Sequence, residues 1–102
     1  PGRRSMPRQQ RHFQITPRIK FRPVAGRTQM ALVATDRPGL LAAVAQVLNQ
    51  VGVRVHDARI ATFGERVEDF FLLTDRHDAP LTGEHQHELL RALQARIGPG
   101  QD

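Results

Sequence analysis

A turn between two apolar runs, residues 35–41, constrains the fold of this chain more than any other segment. Residues 30–34 are continuously apolar, and the leucines and valines after the turn recur at helical intervals. The turn contains Asp36, Pro38 and Gly39, so a strand is predicted to lead directly into a helix. Free N–H groups at a helix start favour an anion, and glycine lets a ligand approach the main chain. The segment is therefore a candidate site for a small ligand that carries a carboxylate.

Length and composition exclude several classes of protein. A chain of 102 residues is long enough for one domain with a single core. No apolar run is long enough to cross a bilayer, and no secretory signal pattern opens the chain. The absence of cysteine excludes a disulfide framework and a thiolate metal site. We expect a cytoplasmic protein and, because the chain begins at Pro1 without an initiator Met, a fragment of a longer one.

The positive charge is concentrated at the N-terminus. Residues 1–27 hold eight Lys or Arg and no acid, whereas the rest of the chain holds seven Arg against ten acids. The net charge of +5 therefore belongs to the leading segment and not to the globular part. We interpret residues 1–14 as a basic flexible linker, with nonspecific phosphate binding as the alternative. Residues 15–98 are predicted to form the domain, and residues 99–102 a flexible tail.

Two strands are predicted before the turn. Phe13, Ile15, Ile19 and Phe21 alternate with polar residues, which is typical of a half-buried strand. Pro17 restricts that strand to the edge of a sheet. A five-residue turn over residues 23–27 and a more apolar, internal strand over residues 28–34 complete an antiparallel hairpin.

The remaining elements follow from periodicity and capping residues. A helix is predicted over residues 38–50, with Asp36 as its N-cap and Gly52 as its C-cap. Residues 53–62 and 67–74 are predicted strands joined by a tight turn, with a bulge near His56 where the alternation changes parity. A second helix is predicted over residues 83–97. Thr82 caps it, and its buried stripe contains Leu89, Leu90, Leu93 and Ile97.

The strand over residues 67–74 carries large apolar side chains on both faces. Phe71 and Leu73 lie on one face, and Phe70 and Leu72 lie on the other. A sheet covered by helices on one side does not need apolar groups on its other side. We therefore expect the open face to pack against a partner domain or subunit, with a covering loop as the alternative.

Three motifs resemble the ACT domain, a small ferredoxin-like regulatory module of the order βαββαβ. They are Asp36-Arg37-Pro38-Gly39-Leu40-Leu41, Val51-Gly52-Val53 and His56-Asp57-Ala58-Arg59-Ile60. The segment over residues 58–71, with Gly64-Glu65-Arg66-Val67-Glu68-Asp69 at its centre, is similar to the last, C-terminal ACT domain of the bifunctional uridylyltransferase/uridylyl-removing enzyme family. The resemblance covers residues 18–97 and implies an α+β fold, a four-stranded antiparallel sheet with two helices on one face.

The chain departs from the usual ACT pattern at its C-terminus. The family's fourth strand follows the second helix, but here Gly98-Pro99-Gly100 follows that helix. The preceding strand, near residues 17–22, can pair with the strand over residues 28–34 and occupy the missing edge. We therefore predict a permuted sheet whose edge strand is supplied from the N-terminal side.

The resemblance implies regulation by an amino acid. The enzymes of this family attach uridylyl groups to the nitrogen regulatory protein PII with UTP and a divalent metal, and an HD-type phosphodiesterase centre removes them. Glutamine favours removal, and the ACT domains are its expected sensors. Neither active site can be assembled from this chain, so the chain alone is expected to be no enzyme and to need no cofactor. Its expected partners are glutamine and a second ACT domain or homodimer partner on the open sheet face, with no specific nucleic acid and no membrane.

The resemblance and the turn chemistry together give a set of candidate effector-binding residues. The N–H groups of Gly39, Leu40 and Leu41 are predicted to hold the carboxylate, and Asp36 to meet the ammonium group. In paired ACT domains, the effector often lies between this turn and a neighbouring strand or helix. The full set is Asp36, Arg37, Pro38, Gly39, Leu40, Leu41, Asn49, Val53 and His56. The alternatives are helix capping for Asp36, close packing for Gly39 and an ordinary strand position for His56.

Three other functions are weaker interpretations. His56-Asp57 and His77-Asp78 lack the further ligands of an HD metal site, and His85 and His87 are interpreted as solvated. An RNA-binding ferredoxin-like domain needs exposed aromatic residues on its central strands and a basic sheet face. The strand over residues 28–34 has no aromatic residue, Phe70 and Phe71 follow the acids Glu68 and Asp69, and we expect no basic sheet face. A dimerisation ACT module that has lost its ligand stays as an alternative to the sensor.

Overall fold

The computed structural model describes residues 17–98, which form a four-stranded antiparallel sheet of order β1-β2-β4-β3 and two helices. The elements are β1 (Arg18–Val24), β2 (Arg27–Thr35), α1 (Leu40–Val51), β3 (Arg54–Phe63), β4 (Arg66–Thr74) and α2 (Gly83–Ile97). This is the ferredoxin-like α+β fold that the sequence predicted. The predicted linker (residues 1–14), residues 15 and 16, and the predicted tail (residues 99–102) lie outside the described residues.

One core forms between the helices and one face of the sheet. Along β2, Met30 and Leu32 are fully buried, while their neighbours are half-buried, as expected of an internal strand with one covered face. Phe71 and Leu73 of β4 join this core. The helices bury their apolar stripes against it, including Leu89, Leu93 and Ile97 of α2, whereas Leu90 is half-buried.

The edge strand β1 comes from the N-terminal side of the fold, which confirms the predicted permutation. It pairs antiparallel with β2, so Ile19 and Phe21 pack against the core. The predicted five-residue connection is wrong. Pro23 and Val24 remain paired in β1, because an edge strand tolerates proline. Only Ala25 and Gly26, both with positive φ, form the turn.

Helix α1 begins later than the sequence predicted. It starts at Leu40, its N-cap is Gly39 with a φ of 81°, and no side chain caps it. The prediction of Asp36 as N-cap is therefore wrong, because residues 37–39 make a separate turn in which the Leu40 N–H donates to the Arg37 carbonyl at 3.3 Å. The C-cap prediction is confirmed, since Gly52 adopts a φ of 81° and its N–H donates to Asn49.

Strand β3 forms the other edge of the sheet. Its register against β4 shifts between Val55 and Asp57, which confirms the predicted bulge at His56. Gly64 and Glu65 make the turn to β4. Almost every residue of β3 is exposed, and Val55 and Ile60 are its large exposed apolar residues on the side that faces the helices. The strand therefore has an unpaired edge within the described chain.

The open sheet face has an apolar centre with cationic neighbours. Phe70 is 38% exposed, so no loop of the described chain covers it completely. The prediction that a partner covers this face stays a prediction. Two cations, Arg22 and Arg59, and one acid, Asp57, line the same recess of about 450 Å³ as Phe70. Arg18 and Lys20, also exposed on β1, share its side of the sheet. The expectation that a basic sheet face is missing is therefore wrong, because β1 adds its alternate cationic residues to this side.

Helix α2 starts where the sequence predicted. The Thr82 Oγ1 accepts a hydrogen bond from the His85 N–H at 3.1 Å and so caps the helix. The Gly98 N–H donates to the Gln94 carbonyl at its C-terminal end. Neither helix within residues 17–98 has the length and apolarity needed to cross a membrane.

Candidate ligand-binding site

The turn that follows β2 is held from two sides. The Asp36 N–H donates to the Glu65 carbonyl in the β3–β4 turn at 2.7 Å. The Arg37 Nη2 donates to the Ile97 carbonyl at the end of α2 at 3.2 Å. The turn is therefore fixed to the β3–β4 hairpin and to α2, and the two sequence segments that resemble the same family lie against each other.

The start of α1 presents backbone donors. Within residues 17–98, the N–H groups of Gly39, Leu41 and Ala42 have no hydrogen-bond acceptor. The Leu40 N–H already donates to Arg37, so the prediction that it is free is wrong. Helix N-terminal N–H groups carry partial positive charge. Gly39, Leu41 and Ala42 are therefore the available donors for an anion.

A cleft of about 340 Å³ lies beside these donors. The turn and the first residues of α1 form one wall, and β3 and β4 form the other. Its lining residues are Asp36, Arg37, Gly39, Leu40, Leu41, Ala42, Ile60, Thr62, Val67 and Asp69. A volume of this size is in the range of small-molecule sites. Five of the nine predicted site residues line it, and Pro38 lies in the turn without lining it.

Asp69 is a cleft residue that the sequence analysis missed. Its side chain is almost completely buried, and its Oδ1 atom has no hydrogen-bond partner among residues 17–98. Burial raises the pKa of its carboxyl, and the negative charge of Asp36 raises it further. A sequence signal existed, because Asp69 shares the parity of Val67, Phe71 and Leu73 and therefore falls on the core-facing side of β4.

The remaining predicted site residues lie near the C-terminus of α1 and do not line the cleft. Asn49 is exposed on α1, and Val53 is buried in the core. His56 contacts Thr74, with Nε2 and Oγ1 2.7 Å apart. The structure therefore does not bring them together with the turn, and their role at a partner's turn stays a prediction.

The other histidines of residues 17–98 do not form a metal-binding group with neighbouring side chains. Within residues 17–98, no group of three His, Asp or Glu side chains is placed to hold a metal ion. His85 is half-buried, and its Nε2 lies 3.1 Å from the Val51 carbonyl. The interpretation of His85 as a solvated residue is therefore wrong. It reaches the last residue of α1 and ties the two helices together.

The fold and the turn define a family. Residues 30–95 match the ACT domain family, and the chain belongs to it. The match begins within β2 and ends within α2. Strand β1 therefore lies outside the matched region, in agreement with its position as an edge strand added from the N-terminal side.

Particular relatives narrow the class further. The chain is 56% identical over 97% of its length to the bifunctional uridylyltransferase/uridylyl-removing enzyme of Xanthomonas euvesicatoria pv. vesicatoria, and 42% identical over 91% to that of Photobacterium profundum. The chain spans only 12% and 11% of these enzymes. Among solved structures, a protein assigned as a glycine cleavage system transcriptional repressor superposes with a TM-score of 0.51 at 25% identity, covering 66% of this chain and 36% of that one.

Proposed function

We propose that this chain is the regulatory, glutamine-sensing ACT domain of a bifunctional uridylyltransferase/uridylyl-removing enzyme that controls uridylylation of PII. The nucleotidyltransferase centre, with its divalent metal and UTP, and the HD-type hydrolase centre belong to other parts of that cytoplasmic enzyme. The high identity to two such enzymes supports the assignment to this parent. The cleft beside the turn supports the assignment of a ligand.

The observation that carries the proposal is the pairing of donors and carboxylates in one cleft. The N–H groups of Gly39, Leu41 and Ala42 have no acceptor among residues 17–98, and the carboxyl group of Asp36 lines the same cleft. An amino acid carries a carboxylate and an ammonium group on one carbon atom. Its two charges therefore match the two kinds of protein group that this cleft places side by side.

The contacts of the turn suggest how binding is transmitted. Asp36 is hydrogen-bonded to the β3–β4 turn through Glu65, and Arg37 to the end of α2 through Ile97. A ligand that repositions the turn changes both contacts at once. Strand β4 of this hairpin carries Phe70 on the open sheet face, where we propose that a second ACT domain or a homodimer partner packs. The signal then reaches the partner through the sheet.

Titration with glutamine tests this proposal. We expect saturable amide NMR shifts that are centred on residues 36–42 in the 102-residue chain. Asp36→Asn removes one charged acceptor and should weaken binding, whereas Asp57→Asn, on the exposed β3 edge, should leave it unchanged. If glutamine moves no amide in this segment, either in the chain or in a whole enzyme that contains it, the sensing function is wrong.

A basic open face keeps RNA binding as a second candidate. Arg22, Arg59 and the exposed Phe70 surround one recess, and stacking on an aromatic ring beside cationic groups is how such sheets bind single strands. Titration with a single-stranded RNA oligonucleotide should leave the NMR signals of the β1 and β4 amides unmoved if the open face serves a protein partner.

A ligand-free dimerisation module is the other alternative. Concentration-dependent dimerisation without a glutamine response would favour it.

A further inference from the structure

Three polar residues are buried in the described chain: Thr28, Asp69 and Thr74, each of which is at most 2% exposed. Asp69 differs from the two threonines in its hydrogen bonding. The Thr28 Oγ1 accepts a hydrogen bond from the Leu81 N–H, and the Thr74 Oγ1 donates to the Asp75 carbonyl. Only the Oδ1 atom of Asp69 lacks a partner within residues 17–98.

A carboxylate oxygen in this position is costly to the fold. Burial removes its water, and no donor among residues 17–98 replaces that water. Native proteins leave few buried polar atoms without a partner, so the Oδ1 atom of Asp69 requires an explanation. The raised pKa of Asp69 agrees with this cost, because burial and the neighbouring Asp36 both disfavour the charged form. A donor supplied from outside the chain would remove the penalty.

The position of Asp69 shows where that donor would come from. Asp69 lines the cleft together with the N–H groups at the start of α1. The helix wall of the cleft presents donors, whereas Asp69 and Asp36 add carboxylates to it. A ligand with an anionic group and a cationic N–H group therefore satisfies both sides of the cleft at once.

We propose that Asp69 is the residue that accepts the α-ammonium group of the amino-acid ligand, with exposed Asp36 in a secondary role. The inference rests on the proposed sensing function and specifies its recognition chemistry. Asp36 is open to solvent, so its interaction with a cation is weakened by water and salt. Asp69 is already desolvated, so a hydrogen bond from an ammonium group to it gains more. The cleft thus selects ligands with a free α-amino group.

Two independent experiments test the role of Asp69. The first is calorimetric titration of the 102-residue chain with glutamine. Asp69→Asn keeps the shape of the side chain but removes its charge, and it should weaken glutamine binding at least about tenfold. Asp36→Asn should weaken binding less than Asp69→Asn does. The control Asp57→Asn, which lies outside the cleft, should bind as the parent chain does.

The second experiment changes the ligand and leaves the protein intact. N-acetylglutamine keeps the carboxylate and the side-chain amide but has no ammonium group, so the parent chain should not bind it measurably. Equal affinity of the parent for glutamine and N-acetylglutamine would overturn the assignment, and so would Asp69→Asn binding within about twofold of the parent. Failure of the sensing function gives a different result, because the parent chain would then bind neither ligand.

Discussion

Asp69 lies in β4, and Asp75 lies in the loop that follows β4. The carboxyl groups of these two aspartates have opposite hydrogen-bonding environments. The Asp75 Oδ1 accepts hydrogen bonds from the N–H groups of His77 at 2.8 Å and Ala79 at 3.0 Å. These backbone bonds lower its pKa. The Oδ1 of Asp69 has no partner among residues 17–98, and burial raises its pKa. The Asp75 carboxylate therefore stabilises its loop, whereas the buried Oδ1 of Asp69 is the atom for which we propose a donor on the ligand.

The two ends of α1 show the same contrast between polar groups that have partners and polar groups that lack them. At its C-terminal end, the His85 Nε2 lies 3.1 Å from the Val51 carbonyl, and the Arg76 guanidinium lies close to Gly52. Nearby, the Arg54 guanidinium contacts Asp78 at 2.8 Å. At the N-terminal end, no group within residues 17–98 accepts from the N–H groups of Gly39, Leu41 and Ala42, and no side chain of that part of the chain caps the helix. We infer that the first end, near Asp75, maintains the fold, and that the second end, near Asp69, is kept open for binding.

The largest effect that we expect is a loss in the free energy of unfolding when a buried hydrogen bond is removed on the side of the fold near Asp75. Thr28→Val removes the acceptor for the buried Leu81 N–H, whose hydrogen bond is 2.9 Å long. Leaving that donor unsatisfied should lower the free energy of unfolding by about 1–3 kcal/mol. Thr62→Val, on the exposed rim of the cleft, should change it by less than about 0.5 kcal/mol. Urea denaturation measures both, and equal losses would contradict the division between the two ends.

A somewhat smaller loss of stability is expected at the two capping glycines, and glutamine binding should distinguish them. Gly39 and Gly52 both have a φ of 81°, so alanine at either position should lower the free energy of unfolding by about 1–2 kcal/mol. At Gly52, the new Cβ would also lie 2.6 Å from the Arg76 Nη2, which must move aside. Glutamine titration then distinguishes the variants. Gly39→Ala should weaken binding, whereas an effect of Gly52→Ala as large as that of Gly39→Ala would contradict the comparison.

Local patterns were sufficient to predict most of the fold but only part of the site. The apolar run of β2 and the apolar stripe of α2 depend on residues that are close in sequence, and the sequence predicts both elements correctly. The cap of α1 was not, because the position of Asp36 is set by its hydrogen bond to Glu65, a contact distant in sequence. Asp69 was overlooked because Glu68-Asp69 in a hairpin resembles a solvated acidic pair, although its parity places it inside.

The smallest effect expected is a difference in the pH dependence of stability. The pKa of folded Asp69 lies above its ordinary value of 3.8, so the folded state keeps a proton that the unfolded chain has released. The stability that this proton provides is complete below pH 3.8 and is lost as pH rises through the raised pKa. The pKa of folded Asp75 lies below 3.8. Its contribution is complete above pH 3.8 and is lost as pH falls through the lowered pKa.

Substitution with asparagine reveals the two contributions with opposite signs. As pH rises above 3.8, Asp69→Asn should gain stability relative to the parent chain, because only the parent must ionise a buried carboxyl group. As pH falls below 3.8, the loss caused by Asp75→Asn should shrink, because the parent's own carboxylate becomes protonated. Urea denaturation from about pH 3 to pH 7 measures both differences. If both variants shift in the same direction across this range, the two aspartates do not have opposite environments, and Asp69 loses its distinction as a carboxylate kept for a ligand.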